Sequence, residues 1–489
     1  MNFLKLVRLL ALLISGVVGF ASAVWAQDTP QQPSDQDTDA TAPSKPKPAA
    51  RGVPGLSDPN STVEGEQQPS NWQPDNGPAT GLQSPTLGSP ELGHSYWVPG
   101  FLLGSTIESR PPGQLATGGW YANNYVGGEV SLLEERGRSE FGLNVTGGGY
   151  FTTDSLQSNG GFAQLSSGYS LSLNRWNIQL FDYFSYIPES QFGFSVGTGL
   201  ALPGVTGSLG PAIPGLSAST VPSQSIYSAL GPRYSNAFAA QATYLLSRRA
   251  SITVGGSYGI LDFTQAGNIN NEMALGNVGF NYQLSPHDTI GVLYRFTGFH
   301  YEGEPQALGT HVVNFVYQKK VAQKVGLSLF GGPEFTYYRI PVNNQSSNTG
   351  AAAGATLTYG FERSNISLSY FHGITAGSGV LLGSITDQAT VSWQRQLSRV
   401  WSGSVNFGYS HNDALATLPG VPKPVYSDWF VGGTLSRPIG RNMQVAATYE
   451  ATFENVSPPT CLGTVCNSSY TQNVIVVTFQ MHTRPFVLP

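Results

Sequence analysis

The stretch YQLSPHDTIGVLYRF, from Tyr282 to Phe296, decides the fold class of this chain. Its centre, Leu-Ser-Pro-His-Asp, is short and mostly polar. On the flanks, apolar side chains occupy alternate positions, as at Ile290, Val292 and Tyr294. Because successive side chains of a β-strand point to opposite faces, this period of two predicts two strands joined by a tight turn.

The same pattern recurs along most of the chain. Leu-Ser pairs return at Leu246, Leu397 and Leu435, each time between alternating apolar runs. Short turns are predicted near residues 174, 248, 286, 321, 363, 399 and 439, and longer Gly-, Pro- and Asn-rich links near 154–160, 188–233, 265–271, 302–309, 341–349, 376–383, 413–425 and 456–468. The sequence therefore predicts an array of antiparallel hairpins in which short and long connections alternate.

The composition is unusual for a soluble protein. Only 11% of the 489 residues are charged, against roughly 25% in soluble domains. The mean hydropathy is nevertheless only −0.11, which fits apolar and polar residues that alternate finely along each strand. The net charge of −5 is mild, and lysines and arginines are scattered. We therefore expect no nucleic-acid partner.

The first 26 residues have the features of a secretory signal peptide. Lys5 and Arg8 precede an apolar core, and small residues at Ala23 and Ala26 offer two cleavage positions. A retained membrane helix is the less favoured alternative. We expect residues 1–26 to be removed on export.

The next segment, residues 27–95, is rich in Pro, Gln and Ser and contains few large apolar side chains. Such a composition cannot bury enough apolar surface to offset the entropy lost on ordering. We predict a disordered periplasmic segment here.

The strand count follows from the alternating runs. Residues 139–489 contain about 16 of them, which we assign to a β-barrel. Residues 96–138 are ambiguous, but FLLGSTIES and YVGGEVSLLEERGR have the pattern of first strands and would bring the count to about 18. Barrels in bacterial outer membranes have an even number of strands, so both counts are admissible.

Three features favour a membrane barrel over a soluble β-sandwich. The polar face is built of Ser, Thr, Asn, Gln and Gly instead of Lys and Glu, the short and long links alternate throughout, and the strand runs are long enough to cross a bilayer when tilted. Aromatic residues near strand ends fit interfacial girdles; they are Trp176, Tyr186, Tyr301, Tyr337, Trp401, Tyr426 and Trp429. The expected fold class is all-β, a transmembrane antiparallel up-and-down β-barrel with a disordered N-terminal segment.

At this point the chain resembles the porin-like outer-membrane β-barrels of Gram-negative bacteria. The terminal run YTQNVIVVTFQMHTRPF is similar to their C-terminal assembly signal, with Gln472, Val477 and Phe479 at matching positions. It departs from that signal at Val474, where a glycine is usual, and by continuing past the strand. The resemblance implies outer-membrane lipid, the barrel assembly machinery and small polar solutes as partners, and it leaves association into a homo-oligomer open.

The resemblance implies a channel for passive diffusion, and several residues are candidates for its function. We predict that Arg295, Glu334, Arg339, Glu450 and Glu454 line the lumen, where charged side chains would set ion preference; the alternative is that they pair and only brace the wall. The long, nearly uncharged link 188–233 is expected to fold inward as a constriction, with a cap over the mouth or a latch between subunits as alternatives.

Other functional interpretations are weaker. YSHNDA places His411 and Asp413 on one face near an outer strand end, a pattern that could serve a hydrolase, but it lacks any recognisable hydrolase motif. A closed or gated barrel for polysaccharide export or surface interaction is the main alternative to a channel. Cys461 and Cys466 are predicted to form a local disulfide because the chain is exported. We expect neither enzymatic activity nor a cofactor or metal.

Overall fold

The computed structural model of this chain describes residues 95–109, 119–154, 158–187, 226, 233–264, 268–322, 324–342, 345–361, 363–416, 423–440, 442–462 and 465–488. The predicted signal peptide and nearly all of the Pro-rich segment lie outside these residues. Within the described ranges, no helix is both long enough and apolar enough to cross a membrane.

The described residues form one antiparallel sheet of long strands. These are β1 (Tyr96–Ser109), β2 (Trp120–Arg136), β3 (Ser139–Thr152), β4 (Gly160–Ser172), β5 (Trp176–Ile187), β6 (Arg233–Leu245), β7 (Ala250–Phe263), β8 (Asn271–Ser285), β9 (Asp288–Tyr301), β10 (Ala307–Ala322), β11 (Val325–Val342), β12 (Gln345–Gly360), β13 (Ser364–Thr375), β14 (Leu382–Gln396), β15 (Ser402–Ala416), β16 (Val425–Ile439), β17 (Met443–Leu462), β18 (Val465–His482) and the short β19 (Phe486–Val487).

The sheet closes on itself. Each strand pairs with the strand before and after it in the chain, and β1 also pairs with β18, from Gly100 opposite His482 to Glu108 opposite Val474. The result is a closed up-and-down barrel of 18 strands, with β19 added beside the start of β1. The higher of the two predicted counts is confirmed, because residues 96–138 supply β1 and β2.

The two faces of the wall differ in polarity. Along β1, Leu102 and Thr106 are buried inside the barrel, whereas Phe101 and Leu103 are about two-fifths exposed on the outside, at 41% and 39%. The inward face of later strands carries buried polar groups such as Asn314. Apolar side chains outside and polar side chains inside are the arrangement of a membrane barrel, the reverse of a soluble sandwich. The chain is therefore a transmembrane β-barrel of the outer-membrane type.

The Leu-Ser pairs of the opening pattern mark short turns for a local reason. The hydroxyl of Ser247 accepts hydrogen bonds from the backbone N–H groups of Arg249 and Ala250, at 3.2 and 3.1 Å. Ser285 accepts from the N–H of His287, and Ser398 from that of Trp401, at 3.1 Å in both cases. Serine thus satisfies backbone donors that a tight turn leaves unpaired.

The fourth Leu-Ser pair behaves differently. Ser436 lies within β16 and its hydroxyl bonds that of Ser402 on β15, at 2.6 Å. The turn comes later, around Gly440, which has a positive φ of 69°. The predicted turn near 439 is present, but this Leu-Ser pair is not part of it.

Two of the predicted long links are largely strand. Near 341–349, β11 runs to Val342 and β12 begins at Gln345; near 456–468, β17 runs to Leu462 and β18 begins at Val465. The backbone register places Cys461 directly opposite Cys466. Residues opposed in an antiparallel pair lie about 4.5–5.5 Å apart between Cα atoms, within the span of a disulfide. The disulfide stays a prediction that this register favours.

The closing seam depends on a glycine. Gly100 of β1 pairs with Glu129 of β2 on one side and with His482 of β18 on the other. Over this glycine, His482 Nδ1 and Glu129 Oε1 approach to 2.7 Å, with both side chains almost fully buried inside the barrel. A Cβ at Gly100 would lie 2.6 Å from each of these two atoms. The glycine therefore makes room for a buried histidine–carboxylate contact that joins the strands on both sides of β1.

We predict that Gly100→Ala weakens the closed barrel, because the added methyl group displaces a buried charged contact. Breaking such a contact costs about 1–3 kcal/mol. Urea titration of the protein in detergent micelles, followed by the mobility difference between folded and unfolded protein on gels, measures the loss.

Gly104→Ala is the matched control on the same strand and face, since a Cβ there would meet only ordinary contacts, the nearest at 3.5 Å from Thr478. An equal loss of stability in both variants would contradict the role given to the Glu129–His482 contact.

Candidate functional site: the lumen and its outer mouth

One wall of the lumen is acidic. Glu450 and Glu454 project inward from β17, and Asp428 of β16 lies opposite Glu454 in the register. All three side chains are buried, between 1% and 9% exposed. Glu450 is opposite Gly432, and its carboxylate would lie 3.2 Å from a Cβ at that glycine. Three carboxylates on two adjacent strands give this part of the lumen a negative character.

Arg295 and Glu334 lie on another part of the wall. They belong to β9 and β11, and both are in register with Val312 of the intervening strand β10. Both side chains are buried, and they interact electrostatically with each other. The alternation of side chains along β9 and β11 gives both residues the inward orientation that the sequence predicted.

Arg339 lies on the other face of β11. It is exposed and alternates with Tyr338, so it shares its face with Phe335 and Tyr337, whose side chains are 40% and 53% exposed on the outside. Arg339 therefore does not join Arg295 and Glu334. Among the predicted girdle residues, Tyr301 and Tyr426 also differ, because both are buried on the inner side.

The link between β13 and β14, residues 376–381, folds into the barrel mouth. Ala376 and the adjoining Leu382 pack in one apolar cluster with Phe299, Tyr301 and Leu308 from β9 and β10. The backbone N–H of Ile269, in the link after β7, donates to the carbonyl of Gly379 at 2.7 Å. The link therefore reaches a stretch of wall several strands away from its own.

The backbone conformation of the link 376–381 requires glycine. Gly377, Ser378 and Gly379 follow one another with positive φ values of 82°, 57° and 76°. A Cβ at Gly379 would collide with the ring of Phe263 on β7. The sequence pattern predicts only a long link near 376–383; the run Gly-Ser-Gly is the signal in the sequence for these positive φ values.

A second link reaches the same region. β6 begins at Arg233, the last residue of the predicted constriction 188–233. Of the residues that precede it in this link, Ile226 is the one that the structure describes. It is 3% exposed and packs with Leu381, Ala414, Tyr426 and Val456. Its backbone N–H donates to the hydroxyl of Ser378 at 3.3 Å. Apart from Ser378 and Leu381 of the link 376–381, its neighbours belong to β15–β17, nearly half the circumference away from β6, so Ile226 lies across the mouth.

The motif YSHNDA divides between the two faces. Ser410 and Asn412 are fully buried inside and hydrogen-bonded to each other at 2.9 Å. His411 lies on the outer face, where its Nδ1 is 2.9 Å from the hydroxyl of Ser427 on β16. His411 and Asp413 share a face, as the alternation predicted.

The outer face carries a second hydrogen-bonded group beside His411. Asp387 of β14 accepts from the hydroxyl of Tyr370 at 2.7 Å and lies 2.8 Å from Nδ1 of His372, both on β13. Asp387 is opposite His411 in the register of β14 and β15. Among the described side chains, no group of three or more His, Cys, Asp or Glu is arranged to hold a metal ion.

The fold, the polarity of its faces and the alternation of its links define this chain as an outer-membrane-type β-barrel. No protein-family model matches it, and no curated protein matches it. Among solved structures, it is similar to OpdQ of Pseudomonas aeruginosa at 10% identity and a TM-score of 0.40, covering 79% of this chain and 99% of that one.

Two further solved structures show the same level of likeness. OccK2 (OpdF) of Pseudomonas aeruginosa matches at 10% identity and a TM-score of 0.42, over 80% of this chain and 98% of that one. A BenF-like porin from Pseudomonas fluorescens Pf-5 matches at 8% identity and a TM-score of 0.42, over 79% and 99%. Likeness at this level carries no argument about the function of this chain.

We predict that Gly379→Ala releases the link 376–381 from the mouth, because alanine at a positive φ and against Phe263 is strained by about 1–2 kcal/mol. The measurement uses Ser378→Cys in a background with Cys461→Ser and Cys466→Ser. Ser378 is fully buried, so the thiol should react slowly with a membrane-impermeant maleimide, and roughly tenfold faster once Gly379 is replaced.

Gly137→Ala is the control, because Gly137 also has a positive φ, 58°, but its Cβ would touch nothing. Gly137 lies in the turn between β2 and β3, so equal acceleration by both replacements would mean that Ser378 is exposed by general destabilisation of the barrel, and would contradict a local release of the link.

Proposed function

We propose that this protein is an outer-membrane channel for passive diffusion of small polar solutes. The observation that carries the proposal is a closed wall of 18 strands whose inner face carries many polar side chains, with apolar ones such as Leu102 and Tyr125 among them. Eight strands enclose a space that side chains fill, whereas 16–18 strands can leave an aqueous lumen. A polar inner face is the lining that hydrated solutes require.

The charges on that face favour cations. Glu108, Asp428, Glu450 and Glu454 face inward among the described residues and are buried, whereas the buried inward arginines are Arg295, which interacts with Glu334, and Arg233. Carboxylates that line a water-filled lumen with walls of low dielectric attract cations and repel anions. The proposed solutes are therefore small polar molecules that are neutral or positively charged.

The constriction is proposed to involve two links. The predicted inward folding of 188–233 is supported by the contact of Ile226 with Leu381 and Tyr426. The link 376–381 is held against β7 and β9. Both contribute small or apolar side chains, so they would narrow the mouth without adding charge.

A closed or gated barrel for export or surface interaction is the second candidate. One observation favours it: inward polar side chains such as Asn314, Thr386 and Asn412 are between 0% and 2% exposed. A wide, permanently open lumen would leave such groups in contact with water. An enzyme is not proposed, because His411 and Ser427 lie outside the lumen without a built substrate site.

Single-channel recording in planar bilayers tests the channel. We predict stable conductance steps for the mature protein, and larger steps after deletion of residues 190–231, because the deletion removes Ile226 from the mouth. The intact fold of both proteins is checked beforehand by gel mobility. A folded barrel that never conducts in either form would favour the closed or gated alternative.

Ion preference tests the acidic wall. We predict that the double variant Glu450→Gln, Glu454→Gln shifts the reversal potential in a salt gradient toward anions, because two inward carboxylates lose their charge. Glu272→Gln is the control, since Glu272 is exposed on the outward face of β8, between the buried residues Asn271 and Met273. An unchanged reversal potential in the double variant would mean that these carboxylates do not face the conduction path.

A further inference from the structure

The wall of the barrel is interrupted between β12 and β13. Their ladder runs from Ala353 opposite His372 to Gly360 opposite Asn365 and is shorter than any other ladder between successive described strands. Beyond Ala353, at the end away from the short turn near 363, β12 continues to Gln345 while paired only with β11, and its residues 345–351 are exposed on both faces. On the other side, β13 ends at Thr375 and its link turns into the mouth.

Residues on the two sides of this break interact with each other. Glu334 projects from the inner face of β11 and is 3% exposed. It accepts a hydrogen bond from the backbone N–H of Ile374, on the part of β13 that β12 does not pair with, and it interacts electrostatically with His372. His372 lies on the outer face of β13, bonded to Asp387. An inward carboxylate and an outward histidine therefore interact through the break in the ladder.

The outer side of the break lies at the edge of the apolar band. Tyr370, Tyr409 and Trp429 are the outward aromatic residues one step nearer the short turns, with the last two rings 4.2 Å apart between centroids. Aromatic girdles mark the level where acyl chains meet headgroups. The polar group formed by His372, Asp387 and His411 thus begins where lipid headgroups begin.

The lining of the break suits an amphiphile. Ile374 and Ile385 supply apolar surface next to the apolar cluster of the mouth. Glu334 is offset by Arg295 on the lumen side. At the outer end His372 contacts Asp387 at 2.8 Å, and when its imidazole is neutral the carboxylate of Asp387 provides the net negative charge. A headgroup bound there has to donate hydrogen bonds and carry a positive charge.

We propose that the break between β12 and β13 is a lateral binding site for a cationic amphiphile of the outer leaflet, with an ammonium headgroup at Asp387 and His372 and an acyl chain along the lipid face. The site opens toward the membrane and not along the barrel axis. It therefore goes beyond the proposed channel and does not depend on conductance.

Photolabelling of the full-length mature protein in phosphatidylcholine vesicles tests the site. The probe is a dodecylammonium that carries a diazirine on its chain, and the comparison is a dodecyl sulfate with the same diazirine. We expect the ammonium probe to label residues 351–353 and 372–374 roughly tenfold more than the outward face of β9 and β10, as one favourable ion pair of about 1.4 kcal/mol allows. We expect the sulfate probe to label the circumference evenly. Even labelling by both probes would overturn the proposal.

Two sets of variants sharpen the test. Asp387→Asn should remove the enrichment, whereas Asp262→Asn, a change at an acid on the outward side of β7, should leave it unchanged. Ala352→Cys with Gly373→Cys, in the background without native cysteines, extends the ladder by a reducible cross-link and should remove the enrichment when oxidised and restore it when reduced.

Thr358→Cys with Ser367→Cys, a registered pair lower in the same seam, controls for cross-linking itself. Enrichment that persists in the oxidised Ala352–Gly373 variant would contradict the site. Conductance of the same preparations is recorded separately, so failure of the channel and failure of the lateral site give different results.

Discussion

The structure depends on the satisfaction of backbone hydrogen bonds where no water is available. In hydrocarbon, each unpaired N–H or C=O costs several kcal/mol, so a sheet can cross a membrane only if it has no free edge. This requirement explains why β1 must meet β18, and why Gly100 stands where two buried side chains pass over the seam. It also explains why the break between β12 and β13 begins at the level of the outer aromatic residues. Below that level the ladder is complete, and above it water and lipid headgroups can form hydrogen bonds with the unpaired backbone N–H and C=O groups.

The same requirement accounts for what the sequence reveals. Alternation of apolar and polar residues follows from the two faces of a closed wall, so the fold class and most strands were predictable. The Leu-Ser turns were predictable because serine supplies the acceptor that a tight turn needs, as at Ser247 and Ser285. Ser436 shows the limit of that argument, since the same pair of residues inside a strand has its hydroxyl bonded across the ladder.

The candidate site was only partly predictable. Glu450 and Glu454 are four positions apart and share the inner face, as a period of two requires. Glu334 and Arg339 are five positions apart, so an uninterrupted strand must place them on opposite faces; the alternation itself contained this information. The contacts of Ile226 and of the link 376–381 were beyond sequence reasoning, because they join residues far apart in the chain and depend on which loops enter the same mouth.

The apolar contents of the mouth follow from the polarity of the wall. Thr, Asn, Gln and carboxylates occupy much of the inner face, and buried apolar side chains lie among them in clusters, such as that of Leu102, Tyr125, Tyr150 and Phe162. An apolar inward link is therefore held where such a cluster lies at the mouth. Phe299, Tyr301 and Leu308 do so near the outer ends of β9 and β10, and Tyr426 does so near the outer end of β16. The two links consequently meet the wall, and each other through Ile226 and Ser378, at the mouth and not deeper. Because these contacts lie at the mouth, they add no apolar side chains to the polar, acidic stretch of the lumen below it.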